Sequence, residues 1–298
     1  MILKRTFTPL VILILTAMPG ISQETEASNL SVHLGELTAP DFTKAVEKSR
    51  GTCIIPVGII EKHGAHLPLS TDLLIARKIT SEAAAIEYAV VYPEYYFGQI
   101  FEARHQPGTI AYSQELIWKM LEETCEELSR NGLKKIVIVN GHGGNTHFFS
   151  FFCQSQLAAR KDYLVVLFTP DDSAIDDQVN ELRKTNYGGH ADEVETSMVH
   201  AIRPDLVHAE LARSQSGEDQ DRLGRMPYGY TGIWWYASYP NHYAGDGSAP
   251  QESIGEIIFN SRAKQLSALI KFLKEDDSIS GLQNRFYSES ESPLETEQ

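Results

Sequence analysis

Three runs of apolar, mostly β-branched residues constrain this chain more than any other feature. Thr52 to Ile60 (TCIIPVGII), Lys135 to Asn140 (KIVIVN) and Leu164 to Thr169 (LVVLFT) are too continuous for half-exposed hairpin strands, and Ala89 to Tyr92 reads as a further short strand. Such runs are strands buried on both faces. Between them the apolar residues adopt helical spacing. Leu73, Leu74, Ile75, Ile79, Ala83 and Ile86 mark a helix within Thr71 to Glu87. Ser113 can cap a second helix, carrying Leu116, Ile117, Met120, Leu121, Cys125 and Leu128 up to the Asn131-Gly132 stop. Further helices are expected at Asp41 to Ser49, Thr146 to Arg160, Val194 to Ala201 and Ser253 to Leu273. Strands alternating with amphipathic helices predict an α/β fold with a mostly parallel sheet covered on both faces. Ligands of such folds bind beyond the carboxyl ends of the strands.

Composition narrows the partners. The 298 residues carry 26 Lys and Arg against 40 Asp and Glu, a formal charge of −14, which leaves no cationic surface for nucleic acid. Residues 1–22 combine Lys4 and Arg5 with an aliphatic run from Leu10 to Leu15 and small residues at Gly20 and Ser22, the pattern of a cleaved secretory signal. The protein is therefore expected to be exported, periplasmic or extracellular, with no stable membrane anchor once that segment is removed. Cys53, Cys125 and Cys153 are too few for a disulfide framework and are expected to be small buried hydrophobes. No repeat or linker divides residues 23–274, read as one domain. Residues 275–298, with seven acids against Arg285 alone, are expected to be a solvated, mobile tail.

The chemistry-bearing residues cluster at strand ends. Glu61, His63, His66 and Asp72 follow the first strand in EKHGAHLPLSTD. Carboxylate and imidazole two residues apart can face one metal where the backbone is extended, although a capping Asp and surface histidines would give the same string. NGHGGN at 140–145 places His142 at the end of the third strand, beside glycines that allow close backbone approach. GGHADEVETS at 188–197 supplies His190, Asp192, Glu193 and Glu195; if the segment is helical, His190 and Glu193 share a face. It would equally suit an acidic helix start.

Taken together and in this order, PVGIIEKHGAHLPLSTD, NGHGGN and GGHADEVETS resemble the creatininase family of metallohydrolases, over roughly residues 50 to 210. The resemblance implies a three-layer α/β sandwich, two divalent metal ions (zinc first, manganese or iron in its place) and a homo-oligomer, often a hexamer. It places metal ligands at Glu61, His63, Asp72 and His142, with Asp72 bridging. The fifth is expected at Glu193, with Glu195 as the alternative ligand or as a group orienting the site. His190 is expected to carry a proton to the leaving group, and the Gly143 and Gly144 amides to stabilise an oxyanion. The implied reaction is hydrolysis of a non-peptide C–N bond, an amide or cyclic amide, of a small molecule.

Two departures qualify that reading. Creatininase has a glutamate where this chain has Gly144, and tryptophans upstream of its later histidine, where Asp171 to Gly189 has none. The aromatic residues lie instead in YGYTGIWWYASYPNHYAGDG at 228–247. Trp234, Trp235 and His242 there are candidate substrate contacts, and core or subunit packing is the alternative. Creatinine is thus not assumed as substrate. A phosphoesterase would need more cationic help than Lys62, the sole Lys or Arg in the three motifs. A non-catalytic binding protein would be marked by lost ligands.

Overall fold

The computed structural model describes residues 30–186 and 188–296, so the expected signal segment lies outside the described residues. Strands β1 (Thr52–Val57), β2 (Val90–Val91), β3 (Lys135–Asn140) and β4 (Leu164–Phe168) form one parallel sheet in the order β2-β1-β3-β4. Each expected strand is present. The first ends three residues early because Gly58 turns its amide to Tyr95 O (3.0 Å) and passes so close to the next helix that a Cβ would stand 2.5 Å from Leu73 N.

Side chains alternate across each strand, so the sheet has two apolar faces. Ile54, Val137 and Val139 pack with Ile75 and Ile79 of α2 (Thr71–Ile86), as well as Met198 and Val199 of α6 (Glu193–Ile202). Ile258 and Leu266 of α8 (Glu252–Glu275) complete that layer. Cys53, Ile55, Ile136 and Ile138 belong to the opposite face. There α3 (Gln114–Arg130) buries Leu121 and Cys125, and α4 (Thr146–Ser155) buries Phe149 and Phe152. The α/β fold with helices on both faces of a parallel sheet is the one the sequence pattern predicts. All three thiols are free; Cys53 and Cys125 are buried, Cys153 is half-buried, and burial pushes the Cys125 thiol up to about 12.

The C-terminal segment departs from expectation. Ser278–Glu291 is a helix, not a mobile tail. Tyr287 is buried and donates to Gln156 O (2.8 Å), and Gln283 Nε2 donates to Tyr163 O (2.8 Å). The acidic count masked one aromatic anchor, whose burial offsets the cost of ordering the turn around it.

Candidate metal centre

Register brings the motifs together. Val57 pairs with Asn140, so the loop after β1, carrying Glu61 and His63, emerges beside the loop after β3, carrying His142. Asp72 is the second residue of α2, held against the same strand ends. Contact is tight enough that a Cβ on Gly141 would collide with the Asp72 carbonyl oxygen. His190 arrives from the far side, paired through its backbone with Ala244.

Three sets of three donors result, and two of them share Asp72. Single ligand atoms of Glu61, Asp72 and His142 lie within 4.8 Å of one another, and so do those of His63, Asp72 and Glu195. Asp72 serves both sets with different oxygens: Oδ1 is 3.0 Å from His63 Nε2, and Oδ2 is 3.3 Å from His142 Nδ1. Glu61 Oε1 is 2.7 Å from His142 Nδ1 and 3.8 Å from His63 Nε2. Glu195 Oε1 is 3.8 Å from His63 Nε2. His63 Nδ1 donates to Glu61 O (3.3 Å), which aims Nε2 inward. Glu61 Oε1 and Asp72 Oδ2 are buried without a hydrogen-bond partner. Orphaned carboxylate oxygens facing imidazole nitrogens in a water-excluded site fit a divalent cation.

Charge and burial compete in this cluster. Burial would push the His63 imidazole down, but Asp72, Glu195 and Glu61 outweigh it and hold it at about 10. Burial is likewise outweighed at His142, which Glu61 and Asp72 raise well above the ordinary histidine value. Burial would raise the Glu61 carboxyl, yet His142 and His242 hold it well below the usual carboxylate range. Burial pushes Glu195 up against the pull of His63 and His190.

Not every predicted site residue faces this centre. Glu193 does not reach it: its carboxylate is buried elsewhere and accepts from Lys184 N (3.0 Å), Thr185 N (2.7 Å) and Gln251 Nε2 (3.0 Å). Glu195 stands among the donors instead. The reason is that His190 precedes the helix; Ala191 has φ +55° and α6 begins only at Glu193, so helical spacing from His190 does not apply. Glu195→Gln is therefore expected to weaken one metal position by about 10- to 100-fold. Glu193→Gln should leave metal content intact and lower unfolding stability by about 1.5–3 kcal/mol, the value of a buried charge-assisted hydrogen bond. Metal titration and urea unfolding of the two variants check this, and the reverse pattern would restore Glu193 as ligand.

His66 also stays out of the donor sets. Its Nε2 meets Thr196 Oγ1 at 3.0 Å, and burial pushes the ring down to about 4, so it ties the first motif to α6 as a neutral strut. His242 is more than a wall residue. Trp235 Nε1 donates to its Nδ1 (2.7 Å), which leaves the proton on Nε2 for a short bond to Glu61 Oε2. Burial pushes His242 down to about 4, so a neutral ring orients Glu61. His190 packs between His63, tilted by 36°, and His242, which it meets edge-on, with ring centroids 4.4 Å from each. Its Nε2 donates to Lys62 O (3.0 Å), which leaves Nδ1 facing Glu195 Oε2 at 3.9 Å.

Over the cluster lies a cavity of about 480 Å³. Asp72, His142, His190 and Glu195 line it together with Trp234 and Trp235 at the start of α7 (Trp234–Ser238). Gly143 and Gly144 form one side, on a single 3₁₀ turn. Tyr230, Gln99 and Glu102 also line it; QIFEARH, which holds the last two, has no pattern from which a site could be read. No Lys or Arg lines this cavity among the described residues.

Comparison with known proteins points to one family and its fold. The family model Creatininase, described as creatinine amidohydrolase, matches residues 35–270. The chain is 28% identical over 192 residues to the creatinine amidohydrolase of Pseudomonas putida, covering 59% of this chain and 74% of that protein. It is 25% identical over 248 residues to the 3-dehydro-scyllo-inosose hydrolase of Thermotoga maritima, covering 74% and 75%. With the mycofactocin precursor peptide peptidase of Mycolicibacterium smegmatis it shares 38% over 98 residues, 31% of this chain and 39% of that one. The fold matches a creatininase crystal structure with a TM-score of 0.69 at 22% identity, over 83% of this chain and 99% of that one. Solved creatininases of the same fold include a Zn-Zn form and a Mn form.

Proposed function

The chain belongs to the creatininase family of metal-dependent amidohydrolases, and from that premise we propose an exported enzyme with two divalent metals that hydrolyses a non-peptide amide or cyclic amide of a small molecule. The observation that carries it is the pair of donor sets sharing Asp72 through separate oxygens. Glu61, Asp72 and His142 would hold one ion; His63, Asp72 and Glu195 the other. Ions bound there supply Lewis acidity, which acidifies water and polarises a carbonyl. Mixed carboxylate and imidazole donors suit zinc, manganese or iron.

The protein's own groups do the rest. His190 accepts a proton at Nδ1, held in orientation by its Nε2 bond to Lys62 O, and delivers it to the leaving nitrogen. Gly143 and Gly144 offer backbone amides toward a developing oxyanion. Trp234 and Trp235 exclude water and give a flat substrate an aromatic surface. A cavity of about 480 Å³ suits a small molecule. The named relatives act on creatinine, a precursor peptide and an inosose, so family membership leaves the substrate open. The signal pattern of residues 1–22 supports export, and the family resemblance supports a homo-oligomer, a hexamer in this proposal.

Metal content and proton release test this reading together. Without metal, His63 at about 10 and the raised His142 both carry protons at pH 7. Metal must displace them, so affinity should rise with pH until His63 is neutral near pH 10. Calorimetric zinc titration in buffers of different ionisation enthalpy should show about two ions per chain with net proton release. The loaded protein should then turn over a member of a panel of cyclic amides and N-acyl compounds. Failure to bind metal even after reconstitution would sink the enzymatic reading.

A further inference from the structure

We propose that Glu102 is the positioning carboxylate of His142, accepting its Nε2–H and holding the ring with Nδ1 toward Glu61 and Asp72. The inference rests on the reading of Glu61, Asp72 and His142 as a metal-holding set, and it starts from an unmet need. His142 Nε2 is shut off from solvent and has no hydrogen-bond partner. With Nδ1 turned to a metal, Nε2 is the nitrogen that carries the hydrogen. A buried N–H left unpaired is destabilising. Metal-ligating histidines almost always give their second nitrogen to a carboxylate, carbonyl or water.

Gly144 shows where the partner comes from. A Cβ on that residue would collide with His142 Nε2 and stand 2.7 Å from Glu102 Oε1. The imidazole nitrogen and the carboxylate oxygen thus flank one small space that the glycine leaves open. Any side chain at 144 would wedge them apart. Glu102, on the 3₁₀ turn Phe101–Ala103, is braced toward this space: Gln99 Nε2 donates to its Oε1 (3.3 Å). Gln99 is itself fixed, its Oε1 accepting from Phe101 N (2.6 Å) and its backbone N–H donating to Asn145 Oδ1 (2.8 Å). Asn145 Nδ2 in turn reaches Asn140 Oδ1 (3.3 Å), which also accepts from His142 N (3.1 Å). Glu102 is thereby tied to the same loop that carries His142. A turn of its carboxylate into the gap completes the pair, and the added negative charge makes Nδ1 a better donor to a cation.

Alternatively, Glu102 could serve the substrate, since it lines the cavity. Zinc binding separates the two roles, because a substrate contact would not move it. Glu102→Ala and Gly144→Ala should each weaken one of the two zinc positions by about 10- to 100-fold, measured against a chromophoric chelator, and leave the other unchanged. Glu102→Gln should recover part of the loss, since its amide oxygen still accepts. Proton spectra of the zinc-loaded protein with ¹⁵N-labelled histidine should show a protected His142 Nε2–H that disappears in Glu102→Ala. Circular dichroism of the metal-free variants should match the parent. Wild-type zinc affinity in Glu102→Ala, or a raised KM with zinc binding untouched, overturns the proposal while leaving the amidohydrolase reading standing. Absence of zinc binding by the parent protein overturns both.

Discussion

Asp72→Ala is expected to empty both metal positions at once, an outcome no other single ligand substitution should produce. Its Oδ1 and Oδ2 point to different histidines, 3.0 Å from His63 Nε2 and 3.3 Å from His142 Nδ1, and it belongs to both donor sets. Removing it leaves each set with two protein ligands. Lewis-acid stabilisation worth several kcal/mol disappears with the ions, so activity should fall on the order of 10³-fold or more. Elemental analysis should find the variant metal-free and the parent with about two ions. One ion retained at full occupancy would show that Asp72 is not shared. Glu61→Ala, by contrast, should spare the His63, Asp72 and Glu195 set.

His190→Ala should lower kcat by about 10²-fold or more while both metals stay bound. The structure sharpens the reason. Nε2 is committed to Lys62 O, so Nδ1 is the atom free to carry a proton, and it looks onto the carboxylate of Glu195. Packing between the tilted His63 ring and the edge-on His242 ring holds the ring plane without using either nitrogen. His190 does also fall within 4.8 Å of Glu61 and His63 as a possible third donor set. Measuring metal content beside kcat decides between these roles: a variant that loses one ion with its activity makes His190 a ligand, and unchanged turnover makes it a bystander.

Local pattern carried much of this molecule. Continuous β-branched runs require strands buried on both sides, and the helical spacing between them requires parallel connections; β1 to β4 and their covering helices follow. Because parallel strands present the same ends to one edge, the His- and acid-rich loops after β1 and β3 had to meet. The proximity of Glu61, His63, Asp72 and His142 was legible in that way, with the family resemblance supplying their expected roles. The aromatic string at 228–247 was visible as well, though its pattern left wall and core undecided; Trp234, Trp235 and His242 all line the cavity, His242 from a buried position.

Other features depended on where distant side chains point, which periodicity does not encode. Glu193 and Glu195 are equivalent as acids near a helix start, and only the turn at Ala191, with φ +55°, decides which of them reaches His63. The orientation of Glu61 depends on His242, 181 positions away, and the space beside His142 depends on Gly144 and Glu102 together. The acidic C-terminus reads as solvated by charge, yet the single burial of Tyr287 against Gln156 docks it. Hydrophobic periodicity is a local, averaged signal that selects which face is buried. A polar site depends on individual atoms meeting within hydrogen-bonding distance across the fold, and that is settled only when every element has packed.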